Sequence, residues 1–154
     1  MFSLRLATKD DIQQIVELRI EFIKEVRLEY PKDRVDEYRE VMSNYLEKEM
    51  SSGNFIAWLA IANNGIIATS GLITIQRVPQ LWNMSGKEAY IMNMYTKPKW
   101  RNKGIGTAIL EKLVEEAKNR DIIAIKLYAT PMGKPLYEKR GFKVGQPEMY
   151  LYLE

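Results

Sequence analysis

Residues 100–107, with the sequence Trp-Arg-Asn-Lys-Gly-Ile-Gly-Thr, impose the strongest constraint on how this chain folds. An apolar run over residues 89–96 precedes them, and residues 105–118 carry apolar side chains at helical spacing. The pattern predicts a strand that ends, a short basic loop with two glycines, and a helix that begins in the loop. The unpaired N–H groups and the positive dipole end of such a helix favour an anion, and glycine lets the backbone approach it. The stretch therefore predicts a phosphate-binding turn.

The loop does not fit the two commonest nucleotide-binding motifs. A P-loop requires Gly-Lys-Ser/Thr after four intervening residues, which is absent here. A dinucleotide fingerprint requires a third glycine and an acidic residue at the end of the next strand, where this chain has Lys126 and Tyr128. Arg101 and Lys103 add full charges beside the free amides, and arginine can bind a phosphate with two parallel hydrogen bonds. Taken alone, the loop fits either a pyrophosphate site or an ordinary turn.

Hydrophobic periodicity divides the rest of the chain into helices and strands. The predicted helices cover residues 9–29, 33–51, 105–118 and 132–139. The predicted strands cover residues 2–6, 55–62, 66–75, 88–96, 122–128, 142–144 and 149–153. Asn63-Asn64-Gly65 predicts a hairpin turn, and the apolar run over residues 122–128 predicts a central buried strand, parallel to residues 88–96. At 154 residues, without a linker or a repeat, the chain is expected to form one domain, residues 1–154, of mixed α/β class.

Two missing residue types restrict the chemistry. The chain has no cysteine and no histidine, which removes thiolate catalysis, disulfides, and the commonest general base and metal ligand. We therefore predict no metal site. A net charge of +3, from 23 basic and 20 acidic residues, does not by itself favour nucleic acid. No stretch approaches the roughly 20 apolar residues of a membrane span, and no apolar leader opens the sequence. We expect a soluble cytoplasmic protein that binds neither nucleic acid nor membrane.

An acidic, tyrosine-bearing connection joins the first two predicted helices. Its members are Glu25, Glu29, Tyr30, Asp33, Asp36 and Glu37. Charge runs of this kind commonly form a solvated helix surface. The alternative hypothesis is an acidic lip that attracts a cationic substrate.

Two separated segments together resemble the motifs of one enzyme superfamily. Residues 90–106 contain a strand, a proline turn and then Arg-x-x-Gly-x-Gly opening a helix, which resembles motif A of the GCN5-related N-acetyltransferases, the GNAT superfamily. Residues 135–142, Pro-Leu-Tyr-Glu-Lys-Arg-Gly-Phe, resemble its motif B. One helix and one strand separate the two segments, as in that family. The resemblance implies a mixed, largely antiparallel sheet of six to seven strands flanked by about four helices.

The resemblance implies acetyl-CoA as cosubstrate, bound mainly by backbone groups. The loop amides that would hold its pyrophosphate belong to Arg101, Asn102, Lys103, Gly104, Ile105, Gly106 and Thr107. The backbone of Met94, Tyr95 and Thr96 would pair with the pantetheine arm. An arm with two amides needs free backbone partners, and the edge of a sheet provides them.

The resemblance also implies catalytic residues. Tyr137 matches the family tyrosine that acts as general acid toward the departing CoA thiolate, and a core aromatic is the alternative interpretation. Glu88 lies roughly where the histone acetyltransferase branch places its catalytic glutamate, and a carboxylate at a strand end is the alternative. Without histidine, the general base stays open among a carboxylate, a tyrosine and a water chain.

These expectations define an N-acetyltransferase that moves acetyl from acetyl-CoA to a primary amine. Direct transfer in a ternary complex is expected, because no cysteine is present to carry an acetyl-enzyme. The amine would belong to a small molecule or a peptide, and a homodimer is left open. A catalytically silent acyl-CoA-binding or regulatory module and a basic nucleic-acid binder are the competing classes. The sequence identifies neither the acceptor nor the use of acyl groups longer than acetyl.

Overall fold

A computed structural model describes residues 1–153, and within them five strands form a mostly antiparallel sheet at the centre of the fold. The strands are β1 (Ser3–Leu6), β2 (Phe55–Ala62), β3 (Gly65–Gln76), β4 (Lys87–Thr96) and β5 (Ile125–Leu127), in that order across the sheet. Neighbours pair antiparallel except β4 and β5, which pair parallel. The mixed class and the largely antiparallel sheet are confirmed, whereas the predicted six to seven strands is wrong. The predicted domain, residues 1–154, includes Glu154, which lies outside the described residues.

Within residues 1–153, four α-helices cover the two faces of this sheet, as expected. They are α1 (Ile12–Val26), α2 (Val35–Ser52), α3 (Ile105–Asn119) and α4 (Lys134–Arg140). The first helix is shorter than predicted, because residues 9–11 form a 3-10 turn and the chain is already extended at Arg27. No helix in the described part of the chain is long and apolar enough to cross a membrane.

Each face of the sheet has its own hydrophobic core. Phe55 and Leu59 of β2 pack with α1 and α2, whereas Ala60 of the same strand packs with α3, because side chains alternate between the faces of a strand. The buried residues of α3 are Ile105, Ile109, Leu110, Leu113, Val114 and Ala117. Burying a leucine or isoleucine side chain is worth about 1.5–3 kcal/mol. This apolar stripe holds α3, and the loop before it, against the sheet.

The connection between β2 and β3 is the predicted tight hairpin. β2 ends at Ala62 and β3 begins at Gly65, so only Asn63 and Asn64 lie between the strands. Their φ angles are +49° and +60°. Both central residues of a type I′ turn need such left-handed values, which asparagine tolerates better than most residues.

The last part of the chain departs from the prediction. Residues 142–144 and 149–153 form no strand, so the two predicted final strands are wrong. The side chains of Val144, Met149 and Leu151 are exposed. Apolar spacing identifies residues that could form a strand, but strand formation also needs a partner edge, which spacing alone does not specify.

The strand after α3 is also shorter and less central than predicted. β5 covers only Ile125–Leu127 of the predicted residues 122–128, and it is the last strand in the order of the described sheet. Ile122 is buried against α3, but Ile123 and Tyr128 are 66% and 73% exposed. The prediction of a central buried strand is therefore wrong, because this apolar run contributes separate residues to a core and to the surface.

Asp11 fixes the chain at the entry to α1. Its two carboxylate oxygens each accept a hydrogen bond of 2.8 Å from the Arg5 guanidinium, and one also accepts the Thr8 backbone N–H at 2.8 Å. The residue is only 6% exposed. The hydrogen bonds from Arg5 lower the pKa of Asp11 from 3.8 to about 2, although burial acts in the opposite direction. The charged carboxylate therefore stabilises the fold.

We expect Asp11→Asn to lower the free energy of unfolding at neutral pH by about 2 kcal/mol, because one pKa unit corresponds to about 1.4 kcal/mol. The carboxylate contributes fully above its unfolded pKa of 3.8, and this contribution is lost as the pH falls toward about 2. The difference between parent and variant in urea titrations should therefore shrink over that interval. Asp10→Asn, at an exposed neighbouring position, is the control. A difference that did not change with pH would contradict the assignment.

Candidate functional site

A cleft of about 1170 Å³ runs between α1 and α2 on one side and β4, the start of α3 and α4 on the other. Its lining includes all the predicted site residues except Lys103 and Glu88. The strand, the loop and the tyrosine, which are far apart in the sequence, therefore meet at one cavity.

The edge of β4 opens into this cleft where its pairing with β5 stops. The last pair is Ile91 with Leu127, and within residues 1–153 no strand pairs with that edge beyond it. On the other edge, the register with β3 shifts so that Asn93 and Met94 both lie opposite Ser70. Such a bulge leaves backbone groups outside the ladder. The cleft therefore contains strand backbone with free hydrogen-bonding capacity.

Asn93 is the residue that makes the bulge possible. Its φ angle is +58°, in the left-handed region where asparagine is enriched. The side chain is buried, lines the cleft, and its amide nitrogen has no hydrogen-bond partner among residues 1–153. A buried donor without a partner is costly, so this N–H group is available to a ligand.

The predicted phosphate loop has the geometry expected of an anion site. Gly104, with φ +76°, precedes the first residue of α3, and the first helical bond runs from the Ala108 N–H to the Gly104 carbonyl. The described chain offers no acceptor to the N–H groups of residues 102–107. Gly106 also lets α4 approach, because a Cβ there would lie 3.4 Å from Leu136. The start of α3 thus presents a row of free amides and a positive dipole end.

The side chain of Arg101 is occupied within the protein. Two guanidinium N–H groups donate to the Glu25 carboxylate at 2.6 and 2.7 Å, and a third donates to the Thr96 carbonyl at 2.9 Å. The guanidinium also lies 5.5 Å from the centre of the Tyr95 ring. Hydrogen bonds from Arg101 hold the pKa of Glu25 below its usual range. Arg101 therefore connects α1 to the loop and to the end of β4, and its guanidinium is not free to hold an anion.

Lys103, the other basic residue of the loop, is positioned differently. Its ammonium nitrogen lies 4.9 Å from the centre of the Trp100 ring, and it forms no ion pair among residues 1–153. A cation over an indole face is held in place without being neutralised. It can therefore attract an anion to the loop.

Tyr137 extends from α4 into the wall of the cleft. It is 6% exposed and packs edge-to-face against Phe142, with ring centres 5.9 Å apart. Burial raises the pKa of its phenol to about 12. A Cβ at Gly133 would lie 3.3 Å from this ring, so glycine makes room for it. The phenol is held rigidly and stays protonated at neutral pH, which makes it a hydrogen-bond donor.

The structure does not bring Glu88 to Tyr137. Glu88 is buried at the start of β4, where its carboxylate lies 3.0 Å from Lys126 and 3.5 Å from Arg77. It does not line the cleft. A carboxylate between two cations is satisfied by the protein itself, so Glu88 has the geometry of a buried ion-pair residue.

The cleft wall formed by α1 was not predicted from the sequence. Arg19 and Phe22 of α1 face Tyr90 of β4 across this part of the cavity. The sequence contains a signal for Arg19, because it lies among Ile12, Ile15, Val16, Ile20 and Ile23 at helical spacing. A cation within an apolar stripe is unusual and indicates either a buried ion pair or a binding site.

Comparisons with known proteins agree with this geometry. The model of the acetyltransferase (GNAT) family matches residues 14–142, and no curated protein matches the chain. A predicted acetyltransferase from Clostridium acetobutylicum, crystallised with acetyl-CoA, is 34% identical, covers 99% of this chain and 96% of its own, and superposes with a TM-score of 0.90. A GCN5-related N-acetyltransferase from Ralstonia eutropha is 25% identical over 99% of both chains, with a TM-score of 0.89. Glucosamine-6-phosphate N-acetyltransferase from Arabidopsis thaliana shares the fold, with 19% identity over 100% of this chain and 99% of its own, and a TM-score of 0.75. The chain therefore belongs to the acetyltransferase (GNAT) family.

Proposed function

We propose that the protein transfers an acetyl group from acetyl-CoA to a primary amine, directly within a ternary complex. One observation carries the proposal: a single cleft joins the free amides at the start of α3, the unpaired edge of β4 and the phenol of Tyr137. The likeness to a family member crystallised with acetyl-CoA supports this choice of cosubstrate.

The donor would lie along backbone groups. The amides of Asn102, Lys103, Gly104, Ile105, Gly106 and Thr107 would bind the pyrophosphate, with Lys103 adding charge. The open edge of β4 at Met94, Tyr95 and Thr96 would pair with the pantetheine amides, as an added strand does. Arg101 would position this loop through Glu25 and the Thr96 carbonyl, and its own backbone N–H already donates to Pro98 at 3.3 Å.

The chemical step needs little from the side chains. The amine nitrogen bonds to the thioester carbon, the carbon–sulfur bond breaks, and the amine loses one proton while the CoA sulfur gains one. A bulge N–H of β4 would stabilise the negative charge that develops on the thioester oxygen. Tyr137 would donate a hydrogen bond to the departing sulfur. Because a phenol with a pKa of about 12 is a weaker acid than a thiol, the net proton comes from the amine.

The described cleft contains no side chain that accepts a proton readily at neutral pH. The chain has no histidine, and no aspartate or glutamate among residues 1–153 lines the cavity. Its titratable neutral groups are phenols, and burial raises the pKa of Tyr45, Tyr90 and Tyr95 as well as that of Tyr137. The acceptor would therefore react as the free amine and lose its proton to water.

We expect Tyr137→Phe to lower kcat by about 100-fold, because the sulfur would leave without a donor. The Kd for acetyl-CoA should change by no more than about twofold, since the backbone groups proposed to bind it are unchanged. CoA release with a panel of amines, beside calorimetric titration with acetyl-CoA, measures both quantities. Tyr152→Phe, an exposed tyrosine outside the cleft, is the control. Unchanged turnover in Tyr137→Phe would exclude the catalytic role. If the parent protein bound acetyl-CoA but acetylated none of the amines, the silent acyl-CoA-binding module would be favoured.

The pH dependence of the reaction should follow the acceptor and not the enzyme. We expect kcat/KM, for total amine, to rise about tenfold per pH unit up to the pKa of the acceptor amine and then to level off. Loss of the Tyr137 proton should not intervene below about pH 11, because its pKa is about 12. Profiles for two homologous acceptors whose amine pKa values differ would test this. A shared rise near neutral pH would instead show that the protein supplies a base.

A further inference from the structure

The charged residues that line the cleft all carry positive charge. The charged residues that line the whole cleft are Arg19, Arg27, Arg101 and Lys139, all basic. The charge of Arg101 is matched by Glu25, and the other three form no ion pair among residues 1–153. An acceptor entering the cleft therefore meets a lining whose charged side chains are all positive.

The ion pairs of the acidic connection favour a solvated charged surface over a lip for a cation. Glu25 pairs with Arg101 at 2.6 Å. Asp36 pairs with Arg39 at 2.5 Å, and Glu37 pairs with Arg34 at 2.7 Å. Three of its carboxylates are therefore balanced by arginines, and none of its acidic residues lines the cleft. These contacts agree with the first interpretation of the acidic connection, a solvated helix surface.

Arg19 is the most constrained of the unmatched cations. It is half-buried in the wall formed by α1, and its guanidinium carbon lies 5.2 Å from the centre of the Phe22 ring. No group among residues 1–153 accepts a hydrogen bond from it. The cation–π contact holds the guanidinium near the Phe22 ring and leaves its N–H donors without an acceptor in the described chain. A guanidinium with free N–H donors beside apolar surface can bind an anionic ligand through charge-assisted, bidentate hydrogen bonds.

The surroundings of Arg19 define the body of that ligand. Phe22, Tyr38, Met42 and Met92 line the same part of the cleft and bring aromatic and apolar surface. A side cavity of about 400 Å³ shares Arg19 and Arg27 with the cleft, and its other charged lining residues are Lys24 and the ion pair of Arg34 with Glu37. Exposed Glu148 lies near Tyr90 but forms no ion pair with Arg19 within the described chain. The space therefore suits an apolar or aromatic group that carries an anion.

We propose that the acceptor is a small amine bearing a carboxylate or phosphate group on an apolar body, and that Arg19 binds this anionic group. The proposal rests on acetyl transfer as the proposed function and names its substrate class. Arg27, the first residue after α1, lines both cavities and would reinforce the attraction from the rim. With its anionic group bound to Arg19, the acceptor would direct the amine at its opposite end toward the open edge of β4.

Equilibrium binding tests the anion site without requiring turnover. The protein is first saturated with CoA, so that the phosphate loop is blocked, and is then titrated by calorimetry with 3-phenylpropanoate, phenyl phosphate and 3-phenylpropanamide. We expect at least one anion to bind about tenfold or more tightly than the neutral amide, because an arginine–anion contact is charge-assisted and bidentate. The better anion identifies carboxylate or phosphate as the recognised group. Equal binding of all three compounds, or binding of none, would overturn the proposal.

Substitution at Arg19 links this binding to one side chain. Arg19→Gln should weaken binding of the preferred anion about 10- to 100-fold. Arg19→Lys should weaken it less, because lysine keeps the charge but cannot form the bidentate hydrogen bonds of a guanidinium. Lys48→Gln removes an equal charge from the exposed surface of α2, away from both cavities, and should leave anion binding unchanged. Unchanged CoA affinity in Arg19→Gln shows that the fold is intact. If Arg19→Gln bound the anion as tightly as the parent, Arg19 would not be the site.

Turnover separates this proposal from the proposed function. 4-(Aminomethyl)benzoate, 4-(aminomethyl)phenyl phosphate, 4-(aminomethyl)benzamide and spermidine are compared as acceptors at equal concentrations of free amine. Preference for an anionic compound, lost in Arg19→Gln, supports the acceptor class. Preference for the amide or for spermidine overturns it while confirming acetyl transfer to amines. If no amine consumes acetyl-CoA, acetyl transfer fails, and the calorimetric comparison still decides whether Arg19 binds anions.

Discussion

The pairing of β4 is the constraint on which the site depends. The strand has neighbours on both edges as far as Ile91, and beyond that point only β3 remains beside it in the described sheet. Unpaired backbone in a buried place is costly, so the open edge favours a ligand with amide groups of its own. The bulge at Asn93 adds to this opening, because it takes further backbone groups out of the ladder. A ligand that completes the strand would thereby satisfy groups that the fold leaves free.

The side chain of Arg101 fixes the position of this open strand edge relative to the phosphate loop. Arg101 hydrogen-bonds the last carbonyl of β4 and the Glu25 carboxylate of α1, so one side chain joins three elements around the cleft. An arginine used in this way cannot also neutralise a pyrophosphate. The loop instead offers free amides, the helix dipole and the Lys103 ammonium, which would attract an anion. The Arg101 side chain thus has a structural role, whereas the loop amides and Lys103 are the groups proposed to bind the anion.

Sequence was most informative where local chemistry decides the outcome. The two asparagines of the β2–β3 hairpin and the glycine loop depend on neighbours within a few residues, and both could be located in advance. Tyr137 was located through its resemblance to a family motif. The partners of Glu25 and Glu88 could not, because their ion pairs join residues far apart in the chain. The two final strands failed for a related reason, since apolar alternation does not specify a partner edge. Arg19 lay within a correctly predicted helix, but only the packing of α1 against β4 shows that its stripe faces a cavity.

The charge of the cleft also bears on how an amine could lose its proton, because the described lining offers no histidine or carboxylate to accept it. Arg19, Arg27 and Lys139 place positive charge around the space in which the acceptor would lie. A like charge nearby disfavours an ammonium group and lowers its pKa, so the cleft itself would increase the fraction of free amine. An anionic group on the acceptor would offset the repulsion that a cationic cleft otherwise exerts on an amine during entry. The same cations would then serve two purposes, because they bind one end of the acceptor and favour the reactive form of the other.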